Sequence, residues 1–157
     1  MITSRWIRPG EDATEALAIR KRVFEEELGL PEKWNLDGKD AYALQLVLLQ
    51  DDVPVATGRI CYDSVGTVLL DRICVLKKYR RQGIGDGLVK VLDYKAALMN
   101  MKFSAVETVP TLEPFYKRIG YRTEGAPFTR DGMTLVRMKK ETNDGTGENC
   151  AHQCAKS

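Results

Sequence analysis

The apolar residues of this chain recur with two different periods, and the changes of period mark its elements. Thr3 to Arg8 reads as a short strand, and Pro9-Gly10 then turns the chain. Asp12 is placed to cap, and Leu17, Arg20, Val23 and Phe24 give Ala13 to Glu27 a helical period. The polar stretch from Gly29 and Pro31 to Asp40 reads as a loop with room for a short helix. Tyr42 to Leu49 and Val55 to Tyr62 read as partner strands around a Gln50-Asp51-Asp52 turn. After Gly66, Val68 to Leu76 is apolar at nearly every position apart from Asp71 and Arg72, as expected of a central strand covered on both faces.

The period then lengthens. Ile84, Leu88, Val91, Leu92, Ala96 and Met99 predict a long amphipathic helix. Phe103 to Val109 reads as a strand, and Leu112 to Ile119 as a short helix stopped by Gly120. Tyr121 and Met133 to Lys139 supply the closing strands. A strand–helix–strand unit joins parallel strands, and the rest of the order favours antiparallel pairing. The predicted fold is a single α/β (α+β) domain over residues 1–141, with a mixed, mostly antiparallel sheet and helices on both faces. Residues 142–157 read as a flexible tail.

Composition narrows the possibilities without naming a function. A chain of 157 residues, 43% hydrophobic and 29% charged, can bury a core without disulfides or metal. No apolar run approaches the roughly 20 residues of a membrane helix. Met1 is followed by Arg5, Trp6 and Arg8 instead of an apolar leader, so a cytoplasmic location without membrane attachment is expected. A net charge of +2 gives no ground for nucleic-acid binding. Cys61 and Cys74 lie in strand-like runs and read as small hydrophobes. Cys150 and Cys154 flank His152, but three soft ligands fall one short of a structural zinc site, so no metal is expected. A Cys–His nucleophile is not expected there either, because the Gly-, Asp- and Asn-rich run from Asn143 to Glu148 offers no rigid scaffold.

Candidate chemistry concentrates in one turn. The central strand ends at Leu76, Lys77-Lys78-Tyr79-Arg80-Arg81-Gln82 follows, and Gly83-Ile84-Gly85-Asp86-Gly87 opens the long helix. The first N–H groups of a helix lack internal partners and sit at its positive end, and glycine lets a phosphate approach them closely. A P-loop would need Lys-Ser/Thr after the second glycine, and the dinucleotide fingerprint would need glycine where Leu88 stands. A solvated basic turn and a glycine-opened helix without ligand remain open on these residues alone.

Arg80-x-x-Gly83-x-Gly85 resembles the [Q/R]-x-x-G-x-[G/A] motif of the GNAT superfamily of N-acyltransferases. The resemblance implies that Arg80, Arg81, Gln82, Gly83, Ile84, Gly85 and Asp86 hold the diphosphate of acetyl-CoA or another acyl-CoA. It also implies that main-chain groups of Ile73, Cys74 and Val75 pair with the pantetheine arm, as an added strand would. Phe115-Tyr116-Lys117-Arg118-Ile119-Gly120-Tyr121 resembles the family's F-Y-x-x-x-G-[F/Y] segment and adds Phe115 and Arg118 to the cofactor contacts. Arg20-x-x-Val23-Phe24-x-x-Glu27 with Asp37-x-x-Asp40 resembles the small bacterial ElaA-like branch, although Leu28 stands where Gln usually follows. Together these segments cover most of residues 1–140.

The resemblance implies an enzyme that moves an acyl group from acyl-CoA to a primary amine by direct attack on the thioester. Tyr116 matches the family's usual general acid, near the sulfur, with a packing tyrosine as the other reading. Glu27, Asp71 and Glu107 are candidate bases, with Asp71 pairing to Arg72 or capping a bulge, and a water chain, as competing possibilities. The Val75 backbone N–H is the expected oxyanion partner. Val109-Pro110 replaces the Asn or Gln often found before the F-Y pair, and Val136-Arg137-Met138 lacks the His common on the ElaA-like closing strand. Trp34 and its loop, Val109 to Pro114 and the region of Phe128 are expected to set the acceptor, a small-molecule or protein amine. A homodimer is possible. The alternative is a non-catalytic acyl-CoA sensor of the same fold. A nucleotide-binding regulator using the same turn is less well matched.

Overall fold

The structure, a computed structural model, describes residues 1–142; the proposed tail after them, with Cys150, His152 and Cys154, lies outside the described residues. Strands β1 (Ile2–Ile7), β2 (Leu44–Gln50), β3 (Val53–Ser64) and β4 (Thr67–Val75) form an antiparallel run. Helix α3 (Ile84–Leu98) carries the chain across to β5 (Phe103–Thr108), which pairs parallel with β4. β8 (Met133–Glu141) pairs antiparallel with β5 and also receives β6 (Arg122–Thr123) and β7 (Phe128–Arg130). Among the described residues β4–β5 is the one parallel pair in an eight-stranded sheet, which is the predicted mixed architecture.

Alternation along β2 divides the core between two faces. Leu46 and Leu48 turn to α3, where Leu88, Val89, Leu92 and Ala96 cover the sheet with Tyr116 and Tyr121 from the region of α4 (Glu113–Arg118). Val47 and Leu49 turn to the other face, under Ala16, Ile19, Val23 and Phe24. The predicted helix from Ala13 to Glu27 is two segments, α1 (Thr14–Arg20) and a π-helical stretch (Lys21–Glu27), with Leu28 N–H bonding Val23 O at 3.0 Å. Asp12 accepts from the Thr14 N–H at 3.0 Å, one residue before the N-cap position Ala13. The expected short helix in the following loop is α2 (Glu32–Asn35).

Two irregularities of β4 shape the centre of the molecule. The β4–β5 ladder covers only Thr67 to Leu69, whereas β4 stays paired with β3 up to Val75 and β5 stays paired with β8 up to Thr108. Beyond Leu69 the two strands therefore part, leaving a gap in mid-sheet. Within that gap β4 bulges: Thr57 opposes Cys74 and Arg59 opposes Asp71, so two steps on β3 face three on β4. Arg72 takes up the extra residue at φ +48°. The bulge reverses the alternation, so Leu70, Ile73 and Val75 all turn toward the α3 face while Cys74 turns to the other. At Gly58, opposite the bulge, an added Cβ would lie 2.7 Å from Leu92 Cδ1, so Leu92 would have to shift.

Candidate active site

The turn after β4 is built to expose main-chain donors. A single 3-10 turn (Lys77–Tyr79) reverses the chain, Arg81 stands at φ +64°, and Gly83 at φ +79° caps α3. Gly83 O accepts the first helical bond, from Gly87 N–H at 3.1 Å, so the N–H groups just ahead of Gly87 have no carbonyl within the helix. Arg81 and Gln82 are exposed, Ile84 is buried, and Asp86 pairs with Lys90 at 2.8 Å. At Gly85 the strand end and α4 draw together: an added Cβ would meet Val75 Cγ2 at 3.8 Å and Phe115 Cζ at 3.9 Å. A cavity of about 380 Å³ borders Gln82, Gly83, Ile84 and Gly87 on the side of β1 and β2, with no lining residue from β4 or β5.

Arg80 points back into the protein. Its Nε donates to Val75 O at 2.9 Å, and its two Nη groups donate to Glu27 at 2.6 Å each. The bidentate bond from Arg80 holds the Glu27 carboxyl below its usual range. Arg80 thereby ties the end of the π-helical stretch to the start of the turn. Val75 itself faces the gap. Leu76 N–H bonds Val55 O at 2.9 Å, and bonded and unbonded positions alternate in an antiparallel ladder. Val75, opposite Ala56, accordingly turns its main-chain N–H and C=O away from β3. By the same alternation the main-chain groups of Cys74 turn toward Thr57, and its side chain is buried under α1.

Tyr116 lies on the α3 face with 5% exposure, edge-on to Phe115 (centroids 5.0 Å apart) and to Tyr121 (5.6 Å). Burial pushes its phenol up, so the ring stays neutral. Arg118, on the same short helix, is exposed. The structure thus brings Gly85 against Val75 and Phe115, with Tyr116 edge-on to Phe115.

The candidate bases are dispersed and each is held by arginine. Asp71 lies on the α1 face, where Arg59 Nε and Nη2 donate to it at 2.7 and 2.9 Å and Arg72 stands 3.6 Å away. Glu107 pairs with Arg130 of β7 at 2.8 Å. Glu27 is at the turn with Arg80. Asp63 and Arg137 form a further pair on this side at 2.8 Å.

Sequence reasoning did not anticipate the charge network around Asp71. Arg59 is fully buried, and its five N–H groups reach Asp71, Asp37 (2.9 Å twice) and Asp40 (3.2 Å). Arg20, also fully buried, bonds Asp40 at 2.6 Å and Asn35 Oδ1 at 3.0 Å. Arg72 donates to Trp34 O at 2.7 Å and Asp37 at 3.1 Å, and its guanidinium lies 3.8 Å from the Trp34 ring centroid. Burial alone would raise the Asp37 carboxyl, but bonds from Arg59 and the Lys39 N–H outweigh it and hold the group well below the usual range. Cys61, beside Asp71 at 3.8 Å, is pushed up to about 12 by burial and that carboxylate. One signal was available: Arg20 occupies an apolar position of its helix, and Arg59 interrupts an apolar strand.

A family model described as an acetyltransferase (GNAT) domain matches residues 12–142. The chain belongs to this family and is an acyl-CoA-dependent N-acyltransferase. It is 31% identical over 140 residues to the uncharacterized N-acetyltransferase YjcF of Bacillus subtilis, covering 83% of this chain and 94% of that one. In fold it is similar to Escherichia coli ElaA, with a TM-score of 0.78 at 23% identity over 90% of this chain and all of that one. A GNAT family acetyltransferase from Elizabethkingia anophelis with acetyl-CoA bound superposes with a TM-score of 0.69 at 18% identity, over 89% and 97% of the two chains. Among the described residues no helix is long and apolar enough to cross a membrane, and no cluster of His, Cys, Asp and Glu could hold a metal ion.

Proposed function

We propose that the chain moves an acetyl group from acetyl-CoA to a primary amine, with the diphosphate on the Arg81–Asp86 main chain and the thioester in the β4–β5 gap. The observation that carries this reading is the join between the two. Val75, whose main chain faces the gap, is also the residue that Gly85 packs against and Arg80 bonds. The pantetheine arm then pairs with Ile73 and Val75 as an added strand, and the Val75 N–H receives the oxyanion. Cys74 serves through its side chain in the core.

The reaction needs one C–N bond formed and one C–S bond broken. The amine attacks the thioester carbonyl, the tetrahedral oxyanion collapses, and the thiolate departs. Tyr116 donates a hydrogen bond to the departing sulfur. A phenol pushed above its ordinary value of about 10 does not fully protonate a thiolate of ordinary pKa about 8.5, so water completes that transfer. The proton lost from the amine also goes to water, because Glu27, Asp71 and Glu107 are engaged by Arg80, Arg59 and Arg130. The acceptor enters on the α1 face between Trp34 and the Glu107–Arg130 pair, which suits a small amine or an exposed amino group of a protein.

Release of CoA thiol from acetyl-CoA over a panel of amines tests the reading. Tyr116→Phe is expected to lower kcat by about 10–10² with acetyl-CoA binding retained. Full turnover in that variant would remove Tyr116 from the chemistry. Tight acetyl-CoA binding with no turnover on any amine would favour the sensor reading instead.

A further inference from the structure

We propose that Asp37 and Arg59 are positioning residues for acyl transfer: they hold the β4 bulge in the shape that turns the Val75 N–H into the gap. The inference rests on the transferase reading above. A non-glycine residue at φ +48° is unfavourable by itself and persists where its surroundings over-determine it. Here the residues on both sides of that torsion are tied. Asp71 is gripped by Arg59, and the Arg72 side chain is gripped by Asp37, the Trp34 carbonyl and the Trp34 ring. Asp37 and Arg59 bond each other at 2.9 Å and so close the loop between the two grips.

This gives a reason for the spacing of Asp37 and Asp40. Asp40 satisfies Arg20 and one donor of Arg59 but makes no bond to Asp71 or Arg72. Asp37 is the member that reaches the bulge. Neither carboxylate belongs to the diphosphate turn, which is secured separately by Arg80 and Glu27. A fault at the bulge therefore misplaces the oxyanion donor and the neighbouring pantetheine pairing while leaving the diphosphate turn in place, and misplacement of about 1 Å costs on the order of 10²-fold in rate.

The test compares Asp37→Asn with Asp40→Asn, each losing one network carboxylate. Measured are kcat, the dissociation constant for acetyl-CoA by calorimetry, and the thermal midpoint. The expected result is a kcat lowered about 10²-fold in Asp37→Asn and only a few-fold in Asp40→Asn. Acetyl-CoA affinity falls far less than kcat in both, because the diphosphate turn is untouched, and the pH profile of kcat keeps its shape. If kcat falls in step with the thermal midpoint in both variants, or Asp37→Asn keeps its kcat, the positioning role is overturned. An unmutated protein that neither binds acetyl-CoA nor turns over would overturn the transferase reading itself.

Discussion

The end of β4 and its middle solve two recognition problems with opposite materials. At the end, the proposed anion site is main chain: a left-handed Gly83, the bare Gly85 and the first N–H groups of α3. In the middle, the gap is shaped by side chains, with three arginines and three carboxylates meeting behind the bulge. A main-chain site needs small residues at fixed short spacing, and it tolerates almost anything beside them. A side-chain site needs particular groups that arrive from Arg20, Asp37, Asp40, Arg59, Asp71 and Arg72, with no short-range pattern to reveal them.

Breaking the middle should cost stability first. Arg59 is fully buried, so Arg59→Met leaves three partly buried carboxylates without their shared cation. A loss of about 3–5 kcal/mol is expected in urea unfolding. A loss under about 1 kcal/mol would mean that water replaces the guanidinium at little cost. The same region should make the fold acid-sensitive. Asp37 and Asp40 have folded pKa values below the unfolded one, because arginine bonds outweigh burial. Their contribution is fully present above the unfolded value of about 4 and is lost as pH falls below it. Stability followed from pH 6 to pH 2 should therefore drop steeply from about pH 4 downward, and less steeply in Asp37→Asn.

The end of β4 should respond in the reverse sense. Glu27 and Arg80 are both partly exposed, at 28% and 36%, so Glu27→Gln is expected to cost no more than about 1 kcal/mol of stability. Its effect should fall on acetyl-CoA, with a dissociation constant raised several-fold as Arg80 loosens the turn. Unchanged affinity in calorimetry would show that the turn holds its shape without the brace.

The contrast explains what was legible in the sequence. The long helix from Ile84, the strand from Val68 and the glycine turn between them were readable because periodicity and glycine spacing are local signals. The closing strand expected at Tyr121 is the two-residue β6, one residue on, whereas the three-residue β7 was not readable, since Phe128–Arg130 is too short to show a period and exists through pairing with β8. Asp71 stood out as a carboxylate on a central strand, but its meaning depended on Arg59 across the ladder. Glu27 was legible as part of a pattern, while its attachment to Arg80, far along the chain, was not. A bulge at Asp71 was one reading of its carboxylate, but nothing in the residues from Leu70 to Val75 marks Arg72 as the left-handed residue.

The central claim, that the turn after β4 is a main-chain diphosphate site, is tested most directly by calorimetric titration of acetyl-CoA into the protein and its Gly83→Glu variant. The account predicts binding in the micromolar range, lost in the variant while the circular dichroism spectrum is kept, because the side chain puts a like charge where the diphosphate lies. Equal binding by both proteins, or none by either, would contradict it.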